Sequence, residues 1–334
     1  MSYPSTKQYS YSAQMGFLIA FAGAGLITGA IASIIPLLGK INLADLKSGS
    51  SAKLMDNLLT PANAGPLMWV QFISTLFLFF LPVVLYALVC HKKPFTHLGY
   101  SHSVTIQEIF IAVAIMIACL PFAGVLSQLT EKLPFSKATL QHFKEAEEGY
   151  DKQVAVFTQM KTIGDYILSL IIMAFLPAVF EETFFRGGLQ NLLSRWFKAP
   201  VFAVIITAVI FSAVHGSYLG FLSRAVLGFI LGWMYYRTGN IWLNIIGHFT
   251  NNAIAVTSIY IAARNGTAAT ASDADQVFPL WSGILSLLVI IILFILFEKI
   301  CKKDIDHPGE EVLIPGYNYQ NPFENNNEHF KNLN

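Results

Sequence analysis

Charged side chains are scarce in this sequence, since Asp, Glu, Lys and Arg make up only 12% of its 334 residues. An average soluble domain has about 25%. The 21 basic and 20 acidic residues nearly cancel, so the chain lacks the excess positive charge with which nucleic-acid-binding proteins neutralise phosphates. Hydrophobic residues reach 54%, which is too many for a disordered chain. The composition excludes a nucleic-acid partner and an ordinary soluble enzyme, and it predicts a polytopic membrane protein.

Cysteine is also rare, with Cys90, Cys119 and Cys301 as the only three in the sequence. An odd number without C-x-x-C spacing argues against both a disulfide framework and a thiolate metal site. We interpret the three thiols as small buried or interfacial side chains.

Eight apolar segments dominate the sequence, and each approaches the roughly 20 residues that a helix needs to span a bilayer. The first is longer than the roughly 7–15 apolar residues of a signal peptide, so we interpret it as a retained helix. The middle four are shorter or interrupted by polar residues, as expected where helices face one another. The prediction is an all-α, multi-pass membrane protein with about eight transmembrane helices: Gly16–Leu38, Met68–Val89, Ile109–Leu126, Tyr166–Phe180, Val201–Val214, Phe221–Tyr236, Ile241–Ala262 and Phe278–Phe297.

The apolar segments and the polar stretches between them divide the chain into five parts. Residues 1–130 form an N-terminal three-helix membrane region, and residues 131–162 form a polar, partly amphipathic connection in which we expect an aqueous or interfacial helix. Residues 163–262 form a core that carries most of the intramembrane polar groups. Residues 263–301 comprise the last transmembrane helix and the loop before it. Residues 302–334 are Asn-rich and show no apolar periodicity, which predicts a disordered polar tail.

Basic residues are unevenly distributed among the short loops. With the N-terminus in the cytosol, the cytosolic loops are richer in Lys and Arg than the outer ones. The positive-inside rule therefore predicts that both termini are cytosolic, and a bacterial cytoplasmic membrane is the neutral assignment. Three histidines, His91, His97 and His102, follow the second apolar segment. Their spacing fits no familiar metal site, so we predict a solvated loop there.

The fourth apolar segment continues beyond Phe180 into polar residues, and ionisable side chains concentrate there at Glu181, Glu182 and Arg186. Glu182 and Arg186 are four residues apart, so they share a helix face and can pair. Glu181 is rotated by about 100° from Glu182 and has no such partner. Because an intramembrane carboxylate is costly, an unpaired Glu181 indicates a functional group. The Glu182–Arg186 pair is equally well explained as part of a site or as an ion pair that only fixes helix packing.

Pro177 lies one turn before this cluster. It leaves the carbonyl of Met173 without its helical donor, so we expect the helix to be irregular at this point.

Two further segments carry polar side chains near their ends. His215 follows Phe211 by four residues, and His248 precedes Asn252 by the same spacing, so His248 and Asn252 share a helix face. A His and an amide on one face can donate hydrogen bonds to a developing oxyanion, although interhelical hydrogen bonding explains such a pair as well. The clusters are nearly equally spaced, with 34 residues from Glu181 to His215 and 33 from His215 to His248.

These three clusters, taken in order, resemble the signature motifs of the CPBP family. The matching residues are Glu181-Glu182-x-x-x-Arg186, Phe211-x-x-x-His215 and His248-x-x-x-Asn252. That family holds the type II CAAX prenyl endopeptidases and the bacterial Abi proteins of bacteriocin processing and self-immunity. The resemblance extends over about 100 residues, Tyr166–Ala262.

The resemblance implies an intramembrane endopeptidase whose helices surround a polar, water-filled cavity. Glu181 and His215 would then activate the attacking water, and His248 and Asn252 would stabilise the oxyanion. Glu182 and Arg186 would support the site. The implied substrate is a peptide or protein, either membrane-bound or prenylated, in a lipid environment.

The role of a metal stays open at this stage. Glu181, His215 and His248 could form a zinc site with an open position. The H-E-x-x-H motif is absent, and each of these ligands comes from a different helix. A metal-free glutamate mechanism is equally compatible with the residues.

Two other classes of protein also stay open. Charged residues in membrane helices mark ion and proton pathways, so a transporter is an alternative, although no internal repeat is visible. A non-catalytic immunity or scaffold protein is a further alternative, although every motif position is filled.

Overall fold

The computed structural model describes residues 7–41, 51–100, 103–157, 160, 162–265 and 278–301. Within these residues every regular element is a helix, which confirms the all-α prediction. The predicted tail at 302–334 and His102 lie outside the described residues. The long helices are α1 (Tyr11–Ala32), α2 (Pro61–Cys90), α3 (Ile106–Glu131), α4 (Lys137–Phe157), α5 (Ile163–Phe197), α6 (Pro200–Ala213), α7 (Phe221–Thr238), α8 (Ile241–Arg264) and α9 (Leu280–Cys301).

Five helices of the described chain are long and apolar enough to cross a membrane, judged by length and composition. They are α1 with its continuation to Leu37, α2, α3, α5 and α9. Large apolar side chains on them face outward, such as Ile27 of α1 (64% exposed) and Ile292 of α9 (58% exposed). Such exposure is expected where lipid is the solvent. The protein is therefore an integral, multi-pass membrane protein.

The remaining predicted segments also lie on helices. α6 is apolar but has only 14 residues, and α7 and α8 are not among the five candidate spans. The count of eight transmembrane helices stays a prediction, as do the limits of the five parts drawn from the sequence.

The motif-bearing helices are enclosed by other helices. α5 packs against α2 and α8, and α6 packs against α5 and α7. One apolar cluster, which includes Val83, Tyr86 and Leu192, joins α2 and α5. A second, which includes Met116 and Leu231, joins α3 and α7. Polar side chains on the inner faces of α5 and α8 are consequently separated from lipid by packed apolar residues.

Proline makes α5 irregular at the position that the sequence predicts. Because Pro177 has no backbone N–H, the helix forms a π-helical turn over Leu170–Phe175, and Leu176 N–H donates to the carbonyl of Ile171, five residues back. α2 has a similar turn over Leu76–Phe80, just before its own proline. The helix remains continuous beyond the turn and carries Glu181 and Glu182 toward the centre of the bundle.

Glycine allows α1 to approach α2 closely. A Cβ atom at Gly25 would overlap the Phe77 carbonyl oxygen, and one at Gly29 would lie 2.8 Å from Phe77 Cβ. A Cβ atom at Gly23, on the same helix, would meet nothing within 4 Å. The contact between the two helices thus depends on Gly25 and Gly29.

The polar connection contains the expected helix, α4, and one side of this segment packs on the bundle. Val154 and Met160 contact Val256 and Ile259 of α8. Glu148 is among the charged side chains of α4 that are exposed. The expected helix is present at Lys137–Phe157, and its aqueous or interfacial placement stays a prediction.

Candidate active site

Three of the predicted side chains converge from three different helices. Glu181 lies on α5, His215 lies just after the end of α6, and His248 lies on α8. Glu181 Oε2 is 3.7 Å from His215 Nε2 and 4.0 Å from His248 Nε2. These separations are too long for direct hydrogen bonds.

Both imidazole rings are oriented through the nitrogen that faces away from Glu181. His215 Nδ1 donates to the Phe211 carbonyl oxygen at 2.7 Å, and the His215 ring packs on the Phe211 ring with centroids 4.7 Å apart. His248 Nδ1 donates to Glu182 Oε1 at 2.7 Å. Because both acceptors require a proton on Nδ1, each neutral ring presents the lone pair of Nε2 toward Glu181.

Glu182, the second glutamate of the pair, is buried and accepts hydrogen bonds from two side chains. Glu182 Oε1 accepts hydrogen bonds from Arg186 Nη1 at 2.8 Å and from His248 Nδ1 at 2.7 Å. The Glu182 and Arg186 side chains have no exposed surface. Arg186 Nη2 donates to the Gly228 carbonyl oxygen on α7 at 3.0 Å, and its guanidinium lies 4.7 Å from the centre of the Phe211 ring. The predicted pair is present, and it connects α5 to α6, α7 and α8.

The contact between Glu182 and His248 is the part of the site that the sequence did not reveal. The two residues are 66 positions apart, whereas spacing rules identify partners only on one helix. Sequence reasoning placed Glu182 with Arg186 and assigned His248 to the oxyanion with Asn252. No local pattern in a single sequence could have found the additional bond.

Asn252 lies one turn after His248 on α8 and is half-buried. Its Oδ1 accepts a hydrogen bond from Asn251 Nδ2 at 3.4 Å, and its own Nδ2 makes no hydrogen bond to a described residue. The spacing of four residues puts Asn252 on the same helix face as His248.

Glu181 has the least satisfied environment in the site. The residue is 8% exposed, and its buried Oε2 has no hydrogen-bond partner among the described residues. Two imidazole lone pairs and this oxygen face the same small space. Three acceptors cannot satisfy one another, so a proton donor is required between them. A water among groups that hold and release a proton is what acid–base hydrolysis requires.

The same three side chains are the ligands of the zinc alternative. A tetrahedral zinc with bonds of about 2.0–2.1 Å separates its ligand atoms by about 3.4 Å, and the separations here are larger, at 3.7 and 4.0 Å. Across the described ranges, no group of three or more His, Cys, Asp or Glu side chains is arranged to hold a metal ion. The side chains as placed do not form a metal cage, and the zinc alternative stays a prediction.

A second polar cluster lies at the C-terminal end of α2, and it corrects one interpretation of the sequence. The prediction of a solvated loop is wrong for His91 and His97, which are 4% and 8% exposed. Their rings stack with centroids 3.4 Å apart. Arg195 Nη2, on α5, lies 3.4 Å from His97 Nε2 and 3.1 Å from the Tyr86 hydroxyl. The two histidines are buried in the bundle, where His97 packs against Arg195, a residue distant in the sequence.

Comparison with known proteins identifies the class to which the motif-bearing region is similar. Residues 163–254 match the family described as type II CAAX prenyl endopeptidase Rce1-like. This match includes Glu181, His215, His248 and Asn252. The resemblance that the three motifs predict is thus confirmed for this region, and the family is one of membrane proteases.

Three bacterial proteins are similar to this chain over about the same length. "Uncharacterized protein YpbD" of Bacillus subtilis (strain 168) is 32% identical over 94 residues, which are 27% of this chain and 45% of that protein. "Uncharacterized 24.3 kDa protein" of Escherichia coli is 34% identical over 92 residues, 26% of this chain and 42% of that protein. "Putative membrane peptidase YdiL" of Bacillus subtilis (strain 168) is 30% identical over 102 residues, 29% of this chain and 40% of that protein. The chain thus spans less than half the length of each relative. No solved structure matches it.

Proposed function

We propose that this protein is an intramembrane endopeptidase that hydrolyses a peptide bond with a water activated by Glu181 and His215. The observation that carries the proposal is the convergence of Glu181 Oε2 with the Nε2 atoms of His215 and His248, at 3.7 and 4.0 Å. Both rings are held by their Nδ1 atoms, so their Nε2 atoms stay directed at the position of the water.

The reaction uses Glu181 as the group that takes and returns a proton. The water between Glu181 and His215 loses one proton to this pair while its oxygen attacks the carbonyl carbon of the substrate. A C–O bond forms, and the carbonyl oxygen becomes an oxyanion. The C–N bond then breaks as the stored proton passes to the leaving amine. His215 orients the water because its ring is fixed against Phe211.

His248 and Asn252 act on the oxyanion from the other side. Asn252 donates through its amide nitrogen. His248 donates only when Nε2 carries a proton in addition to Nδ1, which makes the ring cationic. The carboxylate of Glu182, 2.7 Å from Nδ1, stabilises that cation. Glu182 therefore orients His248 for hydrogen bonding to the oxyanion.

The substrate is a peptide or protein that reaches the site from the bilayer, since the site is enclosed by helices that expose apolar side chains. A prenylated C-terminal segment is one candidate, in line with the description of the matched family. A peptide processed at a bacterial cytoplasmic membrane is another, in line with the bacterial relatives. We infer that both termini face the cytosol, from the distribution of basic residues in the loops.

The test is cleavage of a quenched fluorescent peptide library, with and without a prenyl group, by the purified protein in detergent. Wild type is expected to cleave, and Glu181→Gln is expected to lose about 10²- to 10⁴-fold in rate. The matched control is Glu148→Gln, which removes the same charge from an exposed position on α4.

Three results would separate the alternatives. Loss of cleavage with a zinc chelator would favour the zinc site, and unchanged cleavage would favour the metal-free mechanism. Full activity in Glu181→Gln would contradict the proposal. Ion flux in proteoliposomes that Glu181→Gln abolishes, without any cleavage, would favour a transporter.

A further inference from the structure

The turn that carries His215 is a short segment without regular helix. It runs from Val214 to Gly220, between α6 and α7, and it passes through Gly216 in the left-handed region at φ +67°. Ser212 Oγ, at the end of α6, donates to the Phe221 carbonyl oxygen at 2.5 Å and closes the base of the turn. Beyond Gly216, two internal hydrogen bonds are present, from Gly220 N–H to Ser217 Oγ and from Phe221 N–H to the Tyr218 carbonyl oxygen.

Further contacts with this turn come from α4. Glu147 Oε1 accepts a hydrogen bond from Ser217 Oγ at 2.5 Å and another from Leu219 N–H at 3.3 Å. Phe143, one helical turn earlier, stacks on Tyr218 with ring centroids 4.5 Å apart and an angle of 17° between the planes. Phe143 and Glu147 are four residues apart and therefore present one face of α4 to three consecutive residues of the turn.

The residues that donate hydrogen bonds to Glu147 are buried. Ser217 is 5% exposed and Leu219 is 9% exposed. Ser217 Oγ in turn accepts from Gly220 N–H at 3.2 Å, so the carboxylate orients a hydroxyl that also fixes the end of the turn. Without the Glu147 oxygen, the Leu219 N–H would lose its acceptor, and a buried donor without an acceptor destabilises the conformation that creates it.

The same segment is anchored on the helix that carries His248. Val154, near the end of α4, and Met160, just after it, pack against Val256 and Ile259 of α8. α4 therefore contacts both the turn that follows His215 and the helix that carries His248 and Asn252. A helix outside the candidate spans thus connects two of the three motif-bearing elements.

We propose that Glu147 is a positioning residue that holds the 214–220 turn so that His215 Nε2 stays near Glu181 Oε2. This inference rests on the proposed function, because it assigns Glu147 a role in placing His215 for the reaction. Only Gly216 separates His215 from Ser217, so the Glu147 contact fixes the backbone next to His215, while the His215 ring is also held by the Phe211 carbonyl oxygen. Misplacement of a reacting group by about 1 Å can reduce a rate by about 100-fold.

The kinetic test compares Glu147→Ala, Glu147→Gln and the control Glu148→Ala, with wild type as the reference. Glu147→Ala is expected to lower kcat by about 10- to 100-fold with KM changed by less than about twofold, because ground-state binding of the substrate is not touched. Glu147→Gln is expected to retain most of the activity, because the amide oxygen can still accept both hydrogen bonds. Glu148→Ala, at an exposed position, is expected to behave as wild type.

A second readout does not depend on catalysis. Hydrogen–deuterium exchange of the full-length protein in detergent should speed up in the peptide covering 214–222 in Glu147→Ala, and not in Glu147→Gln or Glu148→Ala. Equal kcat values for Glu147→Ala and Glu148→Ala, or exchange in 214–222 that matches wild type, would overturn the proposal. If wild type cleaves no peptide, the proposed function fails, while the exchange experiment still decides whether Glu147 holds the turn.

Discussion

Glu181 and Glu182 are adjacent in the sequence, yet the structure predicts opposite consequences when each is replaced by alanine. Glu182 accepts hydrogen bonds from Arg186 and His248 and is fully buried. Removing one partner of a buried ion pair costs about 3–5 kcal/mol, which lowers the folding equilibrium constant about 10²- to 10⁴-fold. Glu182→Ala should therefore lose both stability and activity.

Glu181→Ala should lose activity while it keeps most of its stability. Glu181 Oε2 has no hydrogen-bond partner in the described structure, so its removal leaves no donor unsatisfied. We expect the free energy of unfolding to change by less than about 1 kcal/mol. The measurement is unfolding by SDS in mixed micelles, followed by tryptophan fluorescence, with cleavage assayed on the same preparations.

A double variant provides the matched control. In Glu182→Leu/Arg186→Met the unpaired guanidinium is removed as well, and apolar replacements of buried ion pairs are often neutral. Most of the lost stability should return, whereas activity should not, because His248 still lacks its acceptor. Equal losses of stability in Glu181→Ala and Glu182→Ala would refute this reasoning, as would a double variant no more stable than Glu182→Ala.

Two further predictions concern regions outside the active site. Gly25→Ala should destabilise the protein by about 1–3 kcal/mol, because the new methyl group overlaps α2. Gly23→Ala should be neutral or slightly stabilising. Equal effects of the two substitutions in the unfolding assay would contradict the packing argument. Burial, aided by the positive charges of Arg195 and Lys7, lowers the pKa of His91 to about 3. The unfolded histidine therefore binds a proton that the folded one excludes, so the free energy of unfolding should fall as the pH drops below about 6.5. The fall should be shallower in His91→Phe, and identical slopes would argue against this assignment.

Features that depend on nearby residues were predictable from the sequence. The apolar helices follow from continuous runs of about 20 apolar residues, and the Glu182–Arg186 pair and the irregular turn before Pro177 follow from spacings of four residues. A single sequence carries such information because helical neighbours are fixed by the geometry of one helix.

Features that depend on distant residues were not predictable in the same way. The bond between Glu182 and His248 joins two helices, and the burial of His91 and His97 depends on Arg195, which is 98 positions from His97. The contact of Glu147 with the turn after His215 spans 70 positions. The three motifs indicated which residues share a site. Which atoms within that site form hydrogen bonds with one another depends on tertiary packing.

The bonds around Glu182 and Arg186 also determine which helices can move independently. α5 is joined to α8 through His248 and to α7 through the Gly228 carbonyl, so these three helices shift together unless buried charged hydrogen bonds are broken. The end of α6 meets Arg186 and His248 through the Phe211 ring, and it meets α7 through Ser212 Oγ, which donates to the Phe221 carbonyl oxygen. In the proposed function, a polypeptide therefore has to reach the site without separating α5, α7 and α8 from one another.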